Sequence, residues 1–242
     1  MTKQTDDPLF DLPDGGPYTN ARVATKYETM AKAGELFPRE RRVLDQYFEP
    51  DGRVLDLGCG CGRTTRALAH RGFDVVGVDV SEAMVERGRR LFDDLDIRLG
   101  NAVDLEFADR SFEYVLFSYV GLDSIRPESN RDRALSEINR ILDANGTFAF
   151  SSHNFLYNLP ALLFDRGHLR NFYLENGNRD RVGSRYKADG HEFGVMWYIS
   201  NPIHQIRQLR RHGFDTVELV GKRGTPGKYF ERQPYYVAKK RR

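Results

Sequence analysis

Three glycines at alternate positions, Gly58, Gly60 and Gly62, stand in the run VLDLGCGCGR (Val54–Arg63); one acid, Asp56, precedes them, and another, Asp79, lies in the run VVGVDVS (Val75–Ser81). Glycine lets the chain turn sharply and bring its backbone against a ligand. A helix that starts after such a turn offers N–H groups with no partner inside the helix. An acid ending the next strand, about 21 residues past Gly58, can accept both hydroxyls of a ribose. These residue types at this spacing describe a nucleoside-binding crevice. The dinucleotide pattern G-x-G-x-x-G is not met, because Arg63 stands where its third glycine would fall.

Asp56, Gly58, Gly60 and Gly62 match D-x-G-x-G-x-G, and in this the chain resembles the class I S-adenosylmethionine-dependent methyltransferases. The resemblance runs from roughly Val43 to Lys239. It implies S-adenosylmethionine as cofactor and S-adenosylhomocysteine as product. It also implies that the turn Gly58–Cys59–Gly60 packs on the methionine moiety, with Asp56 near its amino group. Asp79 would hold the ribose with Val80 beside it, Ser81 would cap the next helix, and Met84 would pack near the adenine. The segment GNAVDLEFADRSFEYVLFSY is similar to the part of the family that holds the adenine. Asn101 stands where the family usually has Asp; its side-chain oxygen can still accept the N6 hydrogen, and Ala102, followed by Val103, would offer its N–H to the ring. The plainer reading of Asn101 is a turn residue after Gly100. Ser118 and Tyr119 end a strand where the reactive methyl would sit.

On the acceptor side, methyl transfer from a sulfonium needs positioning above all, and an alcohol acceptor also benefits from a base within hydrogen-bond reach. His153, in the run SSHN, is the candidate base, with Asn154 or Tyr157 to orient substrate or ring. Some glycine and sarcosine N-methyltransferases have a similar exit of His, Asn and Tyr after the fifth strand. A loop histidine that caps a helix is the alternative. Tyr18 and Tyr27 lie in a segment that in several relatives covers the cofactor, and Tyr119 could contact methionine or substrate; ordinary packing competes in each case. Arg166, Arg170, Arg179, Arg181 and Arg185 could attract an anion or form a solvated face. His191, His204 and His212 lack metal-ligand spacing, and no metal is expected. No N/D-P-P-Y/F tetrapeptide follows the fourth strand and no Pro-Cys occurs, which argues against adenine, glutamine or cytosine C5 as acceptor.

The elements that must position these residues alternate strand and helix. Strands are expected over Arg53–Leu57, Asp74–Val78, Asp96–Leu99, Tyr114–Ser118 and Thr147–Ser151, with helices over Thr64–His70, Glu82–Phe92 and Ser129–Leu142, the last stopped by Asn145–Gly146. Helix Pro202–Arg211 and a hairpin of Thr216–Val220 with Tyr235–Ala238 close the chain. This is an α/β fold: a three-layer, doubly wound, Rossmann-like methyltransferase sheet, mostly parallel with an antiparallel last strand. Residues 1–20, rich in Asp, Pro and Gly, are expected to be flexible. Residues 21–242 form one methyltransferase domain, with cover helices over 21–48 and a substrate-side insertion over 152–200. Within the insertion, a helix over Phe155–Leu174, a loop over Glu175–Gly190 and a strand over His191–Ser200 are expected.

The 37 Lys and Arg against 35 Asp and Glu give a net charge of +2, too balanced to point to a nucleic-acid or membrane partner. Cys59 and Cys61 are the only cysteines, so no disulfide framework exists and a reducing cytoplasm is the expected setting. The sequence supports a methyltransferase acting on O or N of a small-molecule metabolite, as a monomer or homodimer. The alternatives are RNA or protein as acceptor, through the KKRR end at Lys239–Arg242, and a non-catalytic S-adenosylmethionine-binding protein.

Overall fold

In the run Arg53–Leu57 (β1), Val54 faces one side of the sheet and Leu55 and Leu57 the other, so neither face is left for water and the strand must lie inside a covered sheet. The computed structural model describes residues 21–158, 167, 186–188, 196–222, 224 and 226–242. Tyr18, His191 and the arginines Arg166, Arg170, Arg179, Arg181 and Arg185 lie outside the described residues, as does most of the helix expected over Phe155–Leu174. β1 pairs in parallel with Asp74–Asp79 (β2) on one side and Phe112–Phe117 (β4) on the other. Asp96–Leu99 (β3) extends the sheet beyond β2, and Leu142–Ser151 (β5) extends it beyond β4, both in parallel. Tyr235–Lys240 (β10) then runs antiparallel between β5 and Phe214–Val220 (β9), giving the order β3-β2-β1-β4-β5-β10-β9. The order reverses between β1 and β4, and in such sheets a ligand binds outside the carboxyl ends of the strands at that point.

Helices Ala21–Ala33 (α1), Pro38–Tyr47 (α2), Arg63–Ala69 (α3), Glu82–Leu91 (α4), Glu128–Ile141 (α5) and Pro202–Arg211 (α6) accompany the strands. On one face Leu135 and Ile138 of α5 and Leu209 of α6 pack with Leu55, Leu57, Phe148 and Phe150. On the other, Val43 and Leu44 of α2 and Leu68 of α3 pack with Val54, Leu116 and Val237. The three layers follow from the strand alternation. No helix among the described residues is long and apolar enough to cross a membrane.

Two expectations are corrected. α5 stops at Ile141 and the chain enters β5 at once, so Asn145–Gly146 is not a helix stop but part of an irregular strand opening. Leu142, fully buried, pairs with Phe112, and the register shifts before Thr147 meets Tyr114, with Asn145 at φ 64° in the slack. Burial of Leu142 outweighs the local turn preference. The loop expected over Glu175–Gly190 contains a strand, Tyr186–Ala188 (β7), antiparallel to Met196–Ser200 (β8), which in turn pairs with His153–Asn154 (β6) in a second, three-stranded sheet.

Candidate functional site

The glycine turn lies at the carboxyl end of β1. The N–H groups of Gly58 and Cys59 both donate to the Val78 carbonyl, at 2.7 and 3.1 Å, which stitches the turn to β2. Gly58 has φ 67°, and a Cβ there would stand 2.6 Å from the Phe117 ring. Gly60 has φ 56°, and a Cβ there would meet only the Tyr27 ring at 3.8 Å, because this glycine faces a cleft. At Gly58 glycine is required by both conformation and space, whereas at Gly60 it leaves room for a ligand.

The cleft encloses about 990 Å3, including space open to solvent. Gly58, Cys59, Gly60, Asp79, Val80 and Met84 line it on the β1–β2 side. Asp79 accepts the Gly60 N–H on Oδ2 at 2.8 Å and the Ser81 N–H on Oδ1 at 2.9 Å, so it clasps the turn to the start of α4. Burial pushes its carboxyl above the usual carboxylate range despite those bonds. Ser81 caps α4 through the Met84 N–H. Asn101 and Ala102 line the cleft further along, where the Asn101 side-chain oxygen accepts the Val103 N–H at 3.2 Å as a turn residue would. Val103 is off the wall and packs on the core.

Asp56 sits behind the turn rather than on the cleft wall, 1% exposed. Its Oδ2 accepts the hydroxyls of Thr64 and Thr65 at 2.6 and 2.7 Å, while Oδ1 has no partner among the described residues. Burial therefore prevails and its pKa is pushed up to about 6. Folded Asp56 holds its proton more tightly than the unfolded chain does. Its contribution is most favourable below the unfolded value of 3.8 and is lost as pH rises through about 6. Asp56→Asn is expected to flatten the pH dependence of Tm between those values and to raise stability near neutral pH by up to about 3 kcal/mol. A Tm profile parallel to that of the wild type would refute it.

Ser118 and Tyr119 lie on the cleft wall on the β4 side. Tyr119 and Val120 have φ 51° and 59°, a left-handed pair of non-glycine residues held by the Val120 N–H to Ser151 Oγ at 2.8 Å. This turn lays the Tyr119 ring on Phe37, 5.7 Å between centroids, and edge-on to Tyr27 at 6.1 Å. Burial raises the Tyr27 phenol above its ordinary range, so it keeps its proton.

His153, Asn154 and Tyr157 do not reach the cleft wall. Asp123 Oδ2 accepts the His153 backbone N–H at 2.6 Å and lies 3.0 Å from its Nδ1; Nε2 faces the Gln233 amide at 3.0 Å, and the ring packs against Trp197. Asn154 donates to the carbonyls of Tyr229 and Glu231 and accepts from the Leu156 N–H. Tyr157 is 48% exposed on a single 3-10 turn, Phe155–Asn158. His153 and Asn154 thus tie β6, which pairs with β8, to Asp123 and to the 229–233 segment.

Glu40, Arg63 and Tyr235 are among the residues at the site that the sequence reading did not single out. Glu40, fully buried, takes both Nη groups of Arg63 at 2.7 Å and the hydroxyl of Ser118; the Tyr235 hydroxyl stands 2.7 Å from Ser118 Oγ. Glu40 also accepts the Phe37 N–H at 2.7 Å and so caps the start of α2. An acid two residues after Pro38 signals such a cap, but its burial under the cleft depends on the tertiary fold.

A methyltransferase-domain family profile matches residues 54–146, the stretch that carries the turn, Asp79 and β4. Over 206 residues the chain is 30% identical to the demethylmenaquinone methyltransferase of Thermotoga maritima, covering 80% of this chain and 85% of that one. The chain belongs to the class I S-adenosylmethionine-dependent methyltransferases. Within that family it is also 35% identical over 169 residues to the sarcosine/dimethylglycine N-methyltransferase of Aphanothece halophytica, covering 66% of this chain and 57% of that protein. The chain spans about half the length of other curated relatives, 54% and 52% for two demethylmenaquinone methyltransferases from Symbiobacterium thermophilum and Renibacterium salmoninarum. A solved S-adenosylmethionine-dependent methyltransferase from Methanosarcina mazei shares the fold at a TM-score of 0.66 and 18% identity, over 86% of this chain and 99% of that one. The family's cofactor is S-adenosylmethionine.

Proposed function

We propose that the chain transfers the methyl group of S-adenosylmethionine to a nitrogen or oxygen of a small-molecule metabolite. The observation that carries this reading is the single cleft that joins Asp79, the open face of Gly60 and the strained Tyr119 turn at the β1–β4 reversal. In it Asp79 would take the ribose hydroxyls, the Gly58–Gly60 backbone would lie against the methionine part, and Asn101 and Ala102 would meet the adenine. The cofactor supplies an activated methyl on a sulfonium leaving group, so the chain has only to orient the acceptor in line.

Asp79 and Arg63 are the only charged side chains on the wall among the described residues, one clasping the turn and the other paired with Glu40. Tyr27 keeps its proton. An amine that arrives deprotonated needs no more than this, which favours nitrogen over an alcohol oxygen. Two relatives bear the names of small-molecule enzymes, for demethylmenaquinone and for sarcosine or dimethylglycine. The basic end, the main support for RNA or protein as acceptor, is partly engaged by its own fold: Lys240 donates to the Leu142 carbonyl, Arg241 pairs with Asp215 and Arg242 with Asn145. Buried Cys59 and Cys61, their thiols pushed up by burial, suit a reducing cytoplasm.

Incubation with methyl-labelled S-adenosylmethionine and a cell extract split into metabolite, RNA and protein fractions tests the reading. Label is expected in the metabolite fraction. Label confined to RNA or protein would overturn the substrate class, and no transfer to any fraction would favour a binding protein.

A further inference from the structure

Arg63 is the only basic side chain on the cleft wall among the described residues, and its guanidinium is fixed on several sides. Nη1 donates to the Glu35 carbonyl at 2.9 Å and to Glu40 Oε2 at 2.7 Å; Nη2 donates to Glu40 Oε1 at 2.7 Å. The Phe37 ring lies over its central carbon, 4.4 Å from the ring centroid. A guanidinium carries five N–H groups. Those bonds use both hydrogens of Nη1 and one of Nη2. The Nε–H and the second Nη2–H engage no partner among the described residues. They are parallel and share one edge of the fork, the edge that grips a carboxylate with two bonds.

A buried ion pair by itself adds little stability, because desolvation offsets the attraction. What Glu40 and Phe37 do provide is orientation, since a guanidinium locked on its outer edge and one face cannot rotate its remaining edge away. Glu40 also bonds Ser118 at the end of β4, whereas Asp79 ends β2 on the other side of β1. Anchor points two strands apart are separated by roughly 10 Å. A ligand reaching from one to the other has hydroxyls at one end and an anion at the other.

We propose that the free edge of Arg63 is a carboxylate receptor in the cleft. The carboxylate comes either from the methionine part of the cofactor or from the acceptor, and the inference rests on reading the cleft as an S-adenosylmethionine site. Arg63→Lys keeps the charge facing Glu40 and removes the fork.

Calorimetric titration of the full chain with S-adenosylhomocysteine and with 5′-methylthioadenosine, which has the same nucleoside and sulfur but no amino-acid end, separates the sources. Arg63→Lys is expected to weaken S-adenosylhomocysteine tenfold or more and leave 5′-methylthioadenosine within twofold, which assigns the cofactor's carboxylate. If S-adenosylhomocysteine is unchanged, but sarcosine binds the S-adenosylhomocysteine-saturated wild type and not the variant, the acceptor's carboxylate is assigned. Equal losses for both nucleosides, or no change with either nucleoside or sarcosine, would overturn the proposal. Should Arg63→Lys fail to fold, the double variant Glu40→Gln/Arg63→Met removes the paired charges together and is read the same way. A wild type that binds neither nucleoside would overturn the cofactor reading itself, an outcome distinct from a selective failure at Arg63.

Discussion

Asp79→Ala is expected to weaken S-adenosylhomocysteine binding by roughly a hundredfold or more. A carboxylate that accepts both ribose hydroxyls makes two charge-assisted hydrogen bonds, together on the order of 3 kcal/mol or more. The same carboxylate already holds Gly60 and Ser81 by their N–H groups, so alanine also frees the turn that should lie against the methionine part. Asp79→Asn keeps one acceptor oxygen, and its loss should fall between wild type and alanine. Because burial lifts the Asp79 carboxyl above the usual range, protonation begins at a higher pH than for an exposed acid. A protonated carboxyl loses acceptor strength toward the hydroxyls, so affinity should fall as pH falls through that titration, and the alanine variant should lack this dependence. Titration calorimetry reads all of this, and an unchanged dissociation constant would remove Asp79 from the site.

The place of Asp79 on the cleft wall was legible because it needs only local facts: an apolar run, an acid at its end and a glycine turn one helix earlier. The same holds for β1, β2, β3 and the helices between them, whose periodicity is a property of consecutive residues. Leu142 was not legible as a strand residue, since what holds it in the sheet is Phe112, thirty positions away in sequence. β7 was hidden for the same reason, as Tyr186–Ala188 becomes a strand by pairing with β8. Glu40 reads in sequence as one more surface acid of the charged run PRERR and is buried because the fold brings it against Arg63, Ser118 and Tyr235. His153, read from its position after the fifth strand as a candidate base, is held by Asp123 and Gln233, partners 30 and 80 positions away that spacing along the chain does not disclose. Spacing along the chain thus located the groups that the glycine turn itself arranges. It missed those arranged by contacts between distant segments.

Those distant contacts are concentrated at Arg131, and Arg131→Met is the substitution expected to cost the most stability. The Arg131 side chain is fully buried; it donates to the Leu122 carbonyl at 2.6 Å, Asp123 Oδ1 at 3.1 Å and the side-chain oxygens of Gln205 and Gln208, with the Tyr198 ring 4.2 Å from its central carbon. It thereby joins α5, α6, β8 and the 3-10 turn Gly121–Ser124. Asp123 is equally buried and also takes the Ser152 hydroxyl and the His153 backbone N–H. Methionine fills much of the volume and leaves the Asp123 carboxylate without its counter-charge, a loss of about 3–5 kcal/mol. In a chain of this length that lowers Tm by roughly 10 °C. Asp123→Asn combined with Arg131→Met removes both charges and should recover a large part of the loss, whereas a simple packing defect would not be relieved by it. Ser124, the last residue of the affected turn, and Ile125 after it line the cleft, and the Ile125 carbonyl accepts the Tyr186 hydroxyl from β7. Below its melting temperature the single variant should still keep S-adenosylhomocysteine affinity within about threefold of wild type, because Asp79 and the glycine turn lie on other strands. Thermal melts of both variants, with calorimetry of the folded single variant, check this. A drop in stability under about 1 kcal/mol, or no recovery in the double variant, would mean that the buried pair does not hold the turn.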